Sequence, residues 1–193
     1  DDNIHCFYTF YNNRKLRVYD KGWFRMFEEF ADSFPNVKMA GPNYVFFMSA
    51  GQVYAPYVNN TRIYSCNLIT NDIPFKWRGR YNEDTLLSLD ILSAGYDTLL
   101  TNFILQDKAT TMTVKGGNCD EIYKDGTKEK SQIMVREYPK ISKLVWKFKR
   151  WHHEVNYKVF IREKYEFEPV FKERVKLSAF KIGNDEKINI NPI

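Results

Sequence analysis

Trp77-Arg78-Gly79-Arg80-Tyr81-Asn82-Glu83-Asp84-Thr85-Leu86-Leu87-Ser88-Leu89-Asp90-Ile91-Leu92 is the stretch on which the fold turns. Asn82 suits an N-cap, Glu83 and Asp84 fall in the first turn where the helix dipole favours anions, and Gly95 stands where a helix of this length stops. Two acids therefore open a helix behind a basic, glycine-containing loop. The same acids could serve as ordinary first-turn carboxylates, but a Trp, two Arg and a Tyr beside them suit binding better than packing.

Upstream, Ile4 to Tyr11 alternates as a strand and ends at Asn12-Asn13. Trp23, Phe24, Phe27, Phe30, Ala31 and Phe34 follow helical spacing, so Lys21 to Ser33 is predicted as an amphipathic helix closed by Pro35, with its aromatics in the core. Gly41-Pro42-Asn43 reads as a turn before a short buried strand, Tyr44 to Met48, and Thr61 to Ile69 alternates like a half-buried strand. Downstream, Asp97 to Leu105 is a strand rich in Leu, Thr and Phe. A polar loop, Gln106 to Cys119, carries Lys115-Gly116-Gly117, which could hold phosphate but lacks P-loop spacing. Lys128 to Tyr138 is a helix that Pro139 ends, and the segment beyond Ile161 is expected to add an edge strand or packing arm.

A chain of 193 residues that is 44% hydrophobic buries a substantial core. The net charge of +5 is unevenly spread: residues 136–181 hold 13 Lys and Arg against 6 Asp and Glu, so the basic face belongs to the C-terminal third. Three Cys, far apart and odd in number, indicate neither a disulfide framework nor a zinc site, which makes a reducing cytoplasm the expected location. No apolar run approaches membrane-spanning length and no signal peptide is recognisable.

Lys140 to Tyr157 interleaves basic and aromatic residues: Trp146, Phe148 and Arg150 share one strand parity, Lys147, Lys149 and Trp151 the other. Lysines and arginines neutralise phosphates while aromatic faces accept stacked bases, so this ribbon suits nucleic acid. It equally suits a hairpin with one aromatic face in the core and one lysine face in water. His152 and His153 are adjacent on a strand, hence point to opposite faces, and at most one of them could ligate a given metal.

Trp77 to Leu86, taken with Tyr138-Pro139 and Arg150-Trp151-His152-His153-Glu154-Val155-Asn156-Tyr157, resembles the TET-associated glycosyltransferase family over roughly residues 1–160, the Arg-Tyr-Asn-Glu-Asp-Thr run being the most specific part. The resemblance implies an α/β, GT-A-like mixed sheet flanked by helices. It implies transfer of a hexose or pentose from a nucleotide sugar, a UDP-sugar first of all, to the hydroxyl of a 5-hydroxymethylpyrimidine in phage DNA in the host cytoplasm. Residues 1–125 would form the metal and acceptor side, and residues 126–193 the basic aromatic part, of one catalytic domain. Residue by residue, Asp1 and Asp2 would match the acidic Mn²⁺ or Mg²⁺ motif, with His152 or His153 as a further contact. Glu83 and Asp84 would be the catalytic acids, one of them the base. Lys115, Gly116, Gly117, Arg78 and Arg80 would face the donor diphosphate, and Trp77, Tyr81, Lys147, Lys149, Arg150 and Trp151 the acceptor DNA. In GT-A proteins the nucleotide-binding half precedes the acidic motif, so that half is expected from a preceding segment or a second chain. The alternative from a different class is a non-catalytic nucleic-acid-binding module, indifferent to metal and nucleotide sugar.

Overall fold

The computed structural model describes residues 3–11, 14–109, 127–161, 180–182 and 186–188. Its main sheet is mixed and has eight strands. The strands are β1 (Ile4–Tyr11), β2 (Arg14–Val18), β3 (Val37–Tyr44), β4 (Tyr57–Asn59), β5 (Leu68–Ile69), β6 (Asp97–Lys108) and, from the tail, β9 (Phe180–Ile182) and β10 (Glu186–Ile188). Their order is β10-β9-β2-β1-β6-β3-β5. β6 is the spine: one of its edges takes β3 in parallel, and the other takes β4 against Leu99–Thr101 and then β1 against Ile104–Lys108, both antiparallel.

Alternation along these strands separates two cores. Ala40, Leu99 and Ile104 face helix α1 (Gly22–Asp32), whose Trp23, Phe27, Phe30 and Ala31 are buried at the spacing the sequence predicts. Met39 and Leu100 face the other side, against Leu87 and Ile91 of helix α2 (Glu83–Ser93). The remaining face of α2, Leu86, Leu89 and Leu92, packs on Met134 of helix α3 (Lys128–Glu137) and on the partly buried Val155 and Tyr157. Covered on both sides, α2 is a central helix, which explains the leucine-rich run of the opening stretch.

A second, two-stranded sheet lies beside α3. It is the hairpin of β7 (Ser142–Lys147) and β8 (Arg150–Val155). Phe148 and Lys149 form its two-residue turn, both with left-handed backbone, φ 50° and 60°.

Several expectations are corrected. Gly41-Pro42-Asn43 is not a turn but the end of β3, and Val45–Phe47 is a 3₁₀ turn that leaves Phe46 and Phe47 exposed instead of a buried strand. Pro42 is tolerated because β5 pairs β3 only at Met39 and Ala40, so no ladder bond is asked of its missing N–H. Of the strand read over residues 61–69, only Leu68–Ile69 is strand. The rest crosses β3 so closely that a Cβ at Gly41 would overlap Ile63 Cγ2 and the Cys66 carbonyl oxygen. Asn82 precedes α2 as expected, but in the left-handed region (φ 55°), and its side chain does not cap the helix; its Nδ2 donates to the Lys130 carbonyl at 2.8 Å, tying α2 to α3. Cys6 and Cys66 are free thiols.

Candidate functional site

The parallel pair β3/β6 ends at Tyr44 and Gln106, and Asp84 in the first turn of α2 is near enough to act electrostatically on Tyr44. Open α/β sheets bind ligands in this place, beyond the carboxyl ends of parallel strands. Asp84 sits there, half-buried in the first turn of α2, its Oδ1 accepting from Thr85 N at 2.7 Å and Thr85 Oγ1 at 3.2 Å. Glu83, one residue earlier on the helix, is exposed. Adjacent helical residues diverge by about 100°, which gives the two acids of one motif different surroundings.

Opposite Asp84 stands Arg62, from the segment that crosses β3. Its guanidinium lies over the Tyr64 ring, 4.4 Å from the centroid. Burial works against its charge, but Tyr64, Tyr157 and Asp84 outweigh burial and hold its pKa above the ordinary value. Tyr44 bonds through its hydroxyl to Ser65 Oγ at 2.9 Å, and Lys108 Nζ donates to the same Ser65 Oγ at 2.9 Å. Burial pushes the Tyr44 and Tyr157 phenols up, so both keep their protons at neutral pH. From β8, His153 faces the same group: burial, then Arg62, Lys130 and His152, lower its pKa to about 4.

Polar atoms without partners gather here. Among the described residues, His153 Nε2 and the Tyr157 hydroxyl are buried with no hydrogen bond, and so is Gln106 Oε1, whose Nε2 meanwhile donates to the carbonyls of Pro42 (2.7 Å) and Tyr64 (2.9 Å). An unmet buried polar group costs about 1–3 kcal/mol, so such a cluster suits a surface that a polar substrate completes.

The structure thus brings Asp84 and His153 within electrostatic reach of Arg62, a residue that the motif reading passed over. A signal for Arg62 was present: the alternation over residues 61–69 put Arg62, Tyr64 and Cys66 on one parity, a cation among groups suited to partial burial.

Other expected residues have different employment. Arg78 forks onto Asp90, Nε to Oδ2 and Nη2 to Oδ1, both 2.8 Å, and its Nη1 reaches Glu137 Oε2 at 2.8 Å. The Tyr138 hydroxyl donates to Asp90 as well. Burial pushes the Asp90 carboxyl up, yet Arg78 and Tyr138 overcome this and hold it below the usual range. This network clamps the 77–80 loop to α2 and α3 and engages the Arg78 fork within the fold. Arg78→Ala is expected to lower stability by about 2 kcal/mol, because Asp90, 16% exposed, loses its cation; the 39% exposure of Arg78 keeps the loss below that of a fully buried pair. Arg78→Lys restores little, since an ammonium cannot fork. Urea midpoints check this, and an unchanged midpoint for Arg78→Ala would make the clamp energetically idle.

Tyr81, expected at the acceptor face, is buried at 8% exposure between the left-handed residues Gly79 and Asn82 that bend the loop inward. Trp77 is exposed at 51%, and Arg80 is exposed too.

In the hairpin, Trp146 pairs Trp151, Leu144 pairs His153 and Lys147 pairs Arg150. The two-residue turn therefore corrects the parity read along a single extended ribbon. Trp146, Trp151 and His153 share one face, while Lys147, Arg150 and His152 share the other. On the first face Trp151 lies under Lys128 of α3, 5.7 Å from Nζ to the ring centroid. On the second, Glu154 pairs with both Lys143 and Lys147, and Arg150 Nε donates to His152 Nε2 at 3.2 Å. The two imidazoles point apart, as expected, and do not fit one ion. Among the described residues no group of three or more His, Cys, Asp or Glu could hold a metal. Asp1, Asp2, Lys115, Gly116 and Gly117 lie outside the described residues. No described helix is long and apolar enough to cross a membrane.

A family model described as TET-Associated Glycosyltransferase matches residues 1–117, more than half of the 193. The match takes in α2 and both parallel strands; the Trp-His-His hairpin lies beyond it. No curated protein and no solved structure matches the chain.

Proposed function

The chain belongs to the TET-associated glycosyltransferase family, and from that premise we propose that it moves a sugar from a nucleotide sugar to the hydroxyl of a 5-hydroxymethylpyrimidine in DNA. One observation carries the reading to specific residues: Asp84 is a half-buried carboxylate in the first turn of α2, near enough to Arg62 for its charge to help keep that guanidinium's pKa raised. Asp84 takes the proton of the hydroxymethyl group as its oxygen attacks the sugar's anomeric carbon. The bond from that carbon to the diphosphate oxygen breaks, and the nucleoside diphosphate leaves with the electron pair. Arg62 and Lys108 are the cations suited to the charge that grows on the leaving group, with the Tyr157 hydroxyl as a neutral donor beside them.

Around this centre, Glu83, Trp77 and Arg80 would line the approach, and Lys115, Gly116 and Gly117 would close over a UDP-sugar. Residues 1–125 would form the metal and acceptor side of a GT-A-like domain and residues 126–193 its basic aromatic part. A base inside a duplex cannot enter such a site, so the target is flipped out or single-stranded. On family resemblance alone, Asp1 and Asp2 would hold a Mn²⁺ or Mg²⁺ that neutralises the diphosphate; no step above is routed through it. Chelation by EDTA is expected to stop transfer and added Mn²⁺ to restore it, and transfer that continues in EDTA removes the metal from the scheme.

The deciding experiment incubates the protein with hydroxymethylated DNA and a panel of nucleotide sugars, digests the DNA to nucleosides and weighs them. A hexose or pentose mass increment is the expected result. DNA binding with no increment from any donor would instead support a non-catalytic nucleic-acid-binding module.

A further inference from the structure

The hairpin tip breaks a local rule. Two-residue hairpin turns with left-handed backbone at both positions favour Asn and Gly, yet this one holds Phe148 and Lys149 at φ 50° and 60°. Nor does burial compensate: Phe148 is 87% exposed, its ring edge-on to that of His152 at 6.1 Å between centroids, and Trp146 behind it is 60% exposed. Strain together with an exposed aromatic marks a feature kept for something other than stability. The charges nearby point to a polyanion. Glu154 is already taken by Lys143 and Lys147, which leaves Lys149 at the tip and Arg150 at its base facing solvent.

The root of the same strand carries His153 on the wall that Arg62 and Asp84 share. From His153 to Phe148 is five residues, about 17 Å at ~3.3 Å per residue. That reach exceeds the depth of either groove of B-DNA, about 8 Å. A tip at the base stack therefore leaves the root, with His153, outside the groove and beside Arg62.

We infer that the β7–β8 hairpin is a wedge: Phe148 enters the base stack of an acceptor duplex, while Lys149 and Arg150 hold the flanking phosphates. This rests on the reading of DNA as acceptor and adds to it the means by which a duplex yields its base. Aromatic and aliphatic wedges unstack one step and stabilise the opened duplex in this way.

The test compares the full chain with its Phe148→Gly variant on a duplex carrying 2-aminopurine beside a hydroxymethylated base, first without any sugar donor. Wild type is expected to raise 2-aminopurine fluorescence. Phe148→Gly should bind with similar affinity, because its cations remain, but leave the fluorescence near that of free duplex. Its Tm should be unchanged or higher, since glycine accepts φ 50° without strain; this separates a wedge from a structural aromatic, whose loss would lower Tm. With donor present, transfer to duplex should fall about tenfold or more while transfer to the single-stranded acceptor is kept. Equal fluorescence for the two proteins, or equal loss on both acceptors, overturns the wedge. Binding of wild type to anionic vesicles but not to duplex overturns it too and makes the tip a membrane contact. Since the fluorescence arm needs no sugar, absence of transfer with a normal fluorescence response would sink the glycosyl-transfer reading and leave the wedge standing.

Discussion

Asp84→Asn is expected to lower kcat/KM for sugar transfer about 10³-fold, within the range that a positioned general base contributes, while binding DNA as wild type does. The change is nearly isosteric and keeps an oxygen for the Thr85 N–H that now donates to Oδ1 at 2.7 Å, so the first turn of α2 stays closed. What disappears is the basic oxygen that faces Arg62. Glu83→Gln should cost far less, because that side chain is exposed and stands apart from the Arg62, Tyr44 and Tyr157 group. Single-turnover transfer to hydroxymethylated DNA measures both variants. An Asp84→Asn enzyme with full activity would remove Asp84 from the base role, and a Glu83→Gln enzyme with the larger loss would transfer the role to Glu83.

The contrast between these neighbours was invisible in the sequence, where both are first-turn acids at one helix mouth. Burial of a side chain depends on which elements cover the helix. α2 is covered twice, by the sheet and by α3, through contacts that include Met39 and Met134, each more than forty residues from the leucines it packs on. Periodicity found α1, β1, β6 and the hairpin because each has an apolar pattern whose period belongs to the element itself, whereas α2, apolar on both faces, was legible from its first-turn acids and Gly95. It failed over residues 61–67 because two different structures place alternate residues in and out. A strand does so, and so does an irregular segment pressed against a glycine; only Gly41 on another strand distinguishes them. The hairpin faces were misassigned for a related reason: parity counts correctly within a strand, and the two-residue turn resets it.

Arg78 and Arg62 teach the complementary lesson about sites. Arg78 sits in the recognisable motif, but Asp90 one helical face away and Glu137 on α3 already fill its fork. Arg62 belongs to no motif, and among the described residues it forms no ion pair with a carboxylate; it faces Asp84, Tyr157 and His153 from a crossing loop. A motif names residues that share a stretch, whereas a site collects residues that share surroundings. Here Asp84, His153 and Tyr157 belong to both, and Arg62 only to the second.

His153 gives that group of residues a measurable pH dependence. Its folded pKa of about 4 lies below the ordinary histidine value of about 6.5, because burial and the cations Arg62 and Lys130, with His152 adding to them, all disfavour the imidazolium. The unfolded chain therefore binds more protons than the folded chain between those two values. Stability is complete above pH 6.5, falls as the pH drops towards 4, and gains no further loss from this group below it. The full span corresponds to about 3 kcal/mol, on the order of a hundredfold in the folding equilibrium. The carboxylates that the fold stabilises, Asp72, Asp90 and Glu154, have pKa values lowered below their ordinary range, so their losses come at more acid pH than most of this window. His152 is also lowered, by burial first and Arg150 second, and adds in the same direction. Urea unfolding at pH 7 and pH 5 isolates the effect: wild type should lose a large part of its stability between the two, and His153→Gln, which has no imidazole to protonate, should lose clearly less. The same fall in both proteins would assign the acid sensitivity elsewhere. A smaller fall in the variant places a neutral, partnerless imidazole opposite Arg62 at the pH where transfer is measured, available to accept a hydrogen bond and carrying no charge that would compete with Asp84.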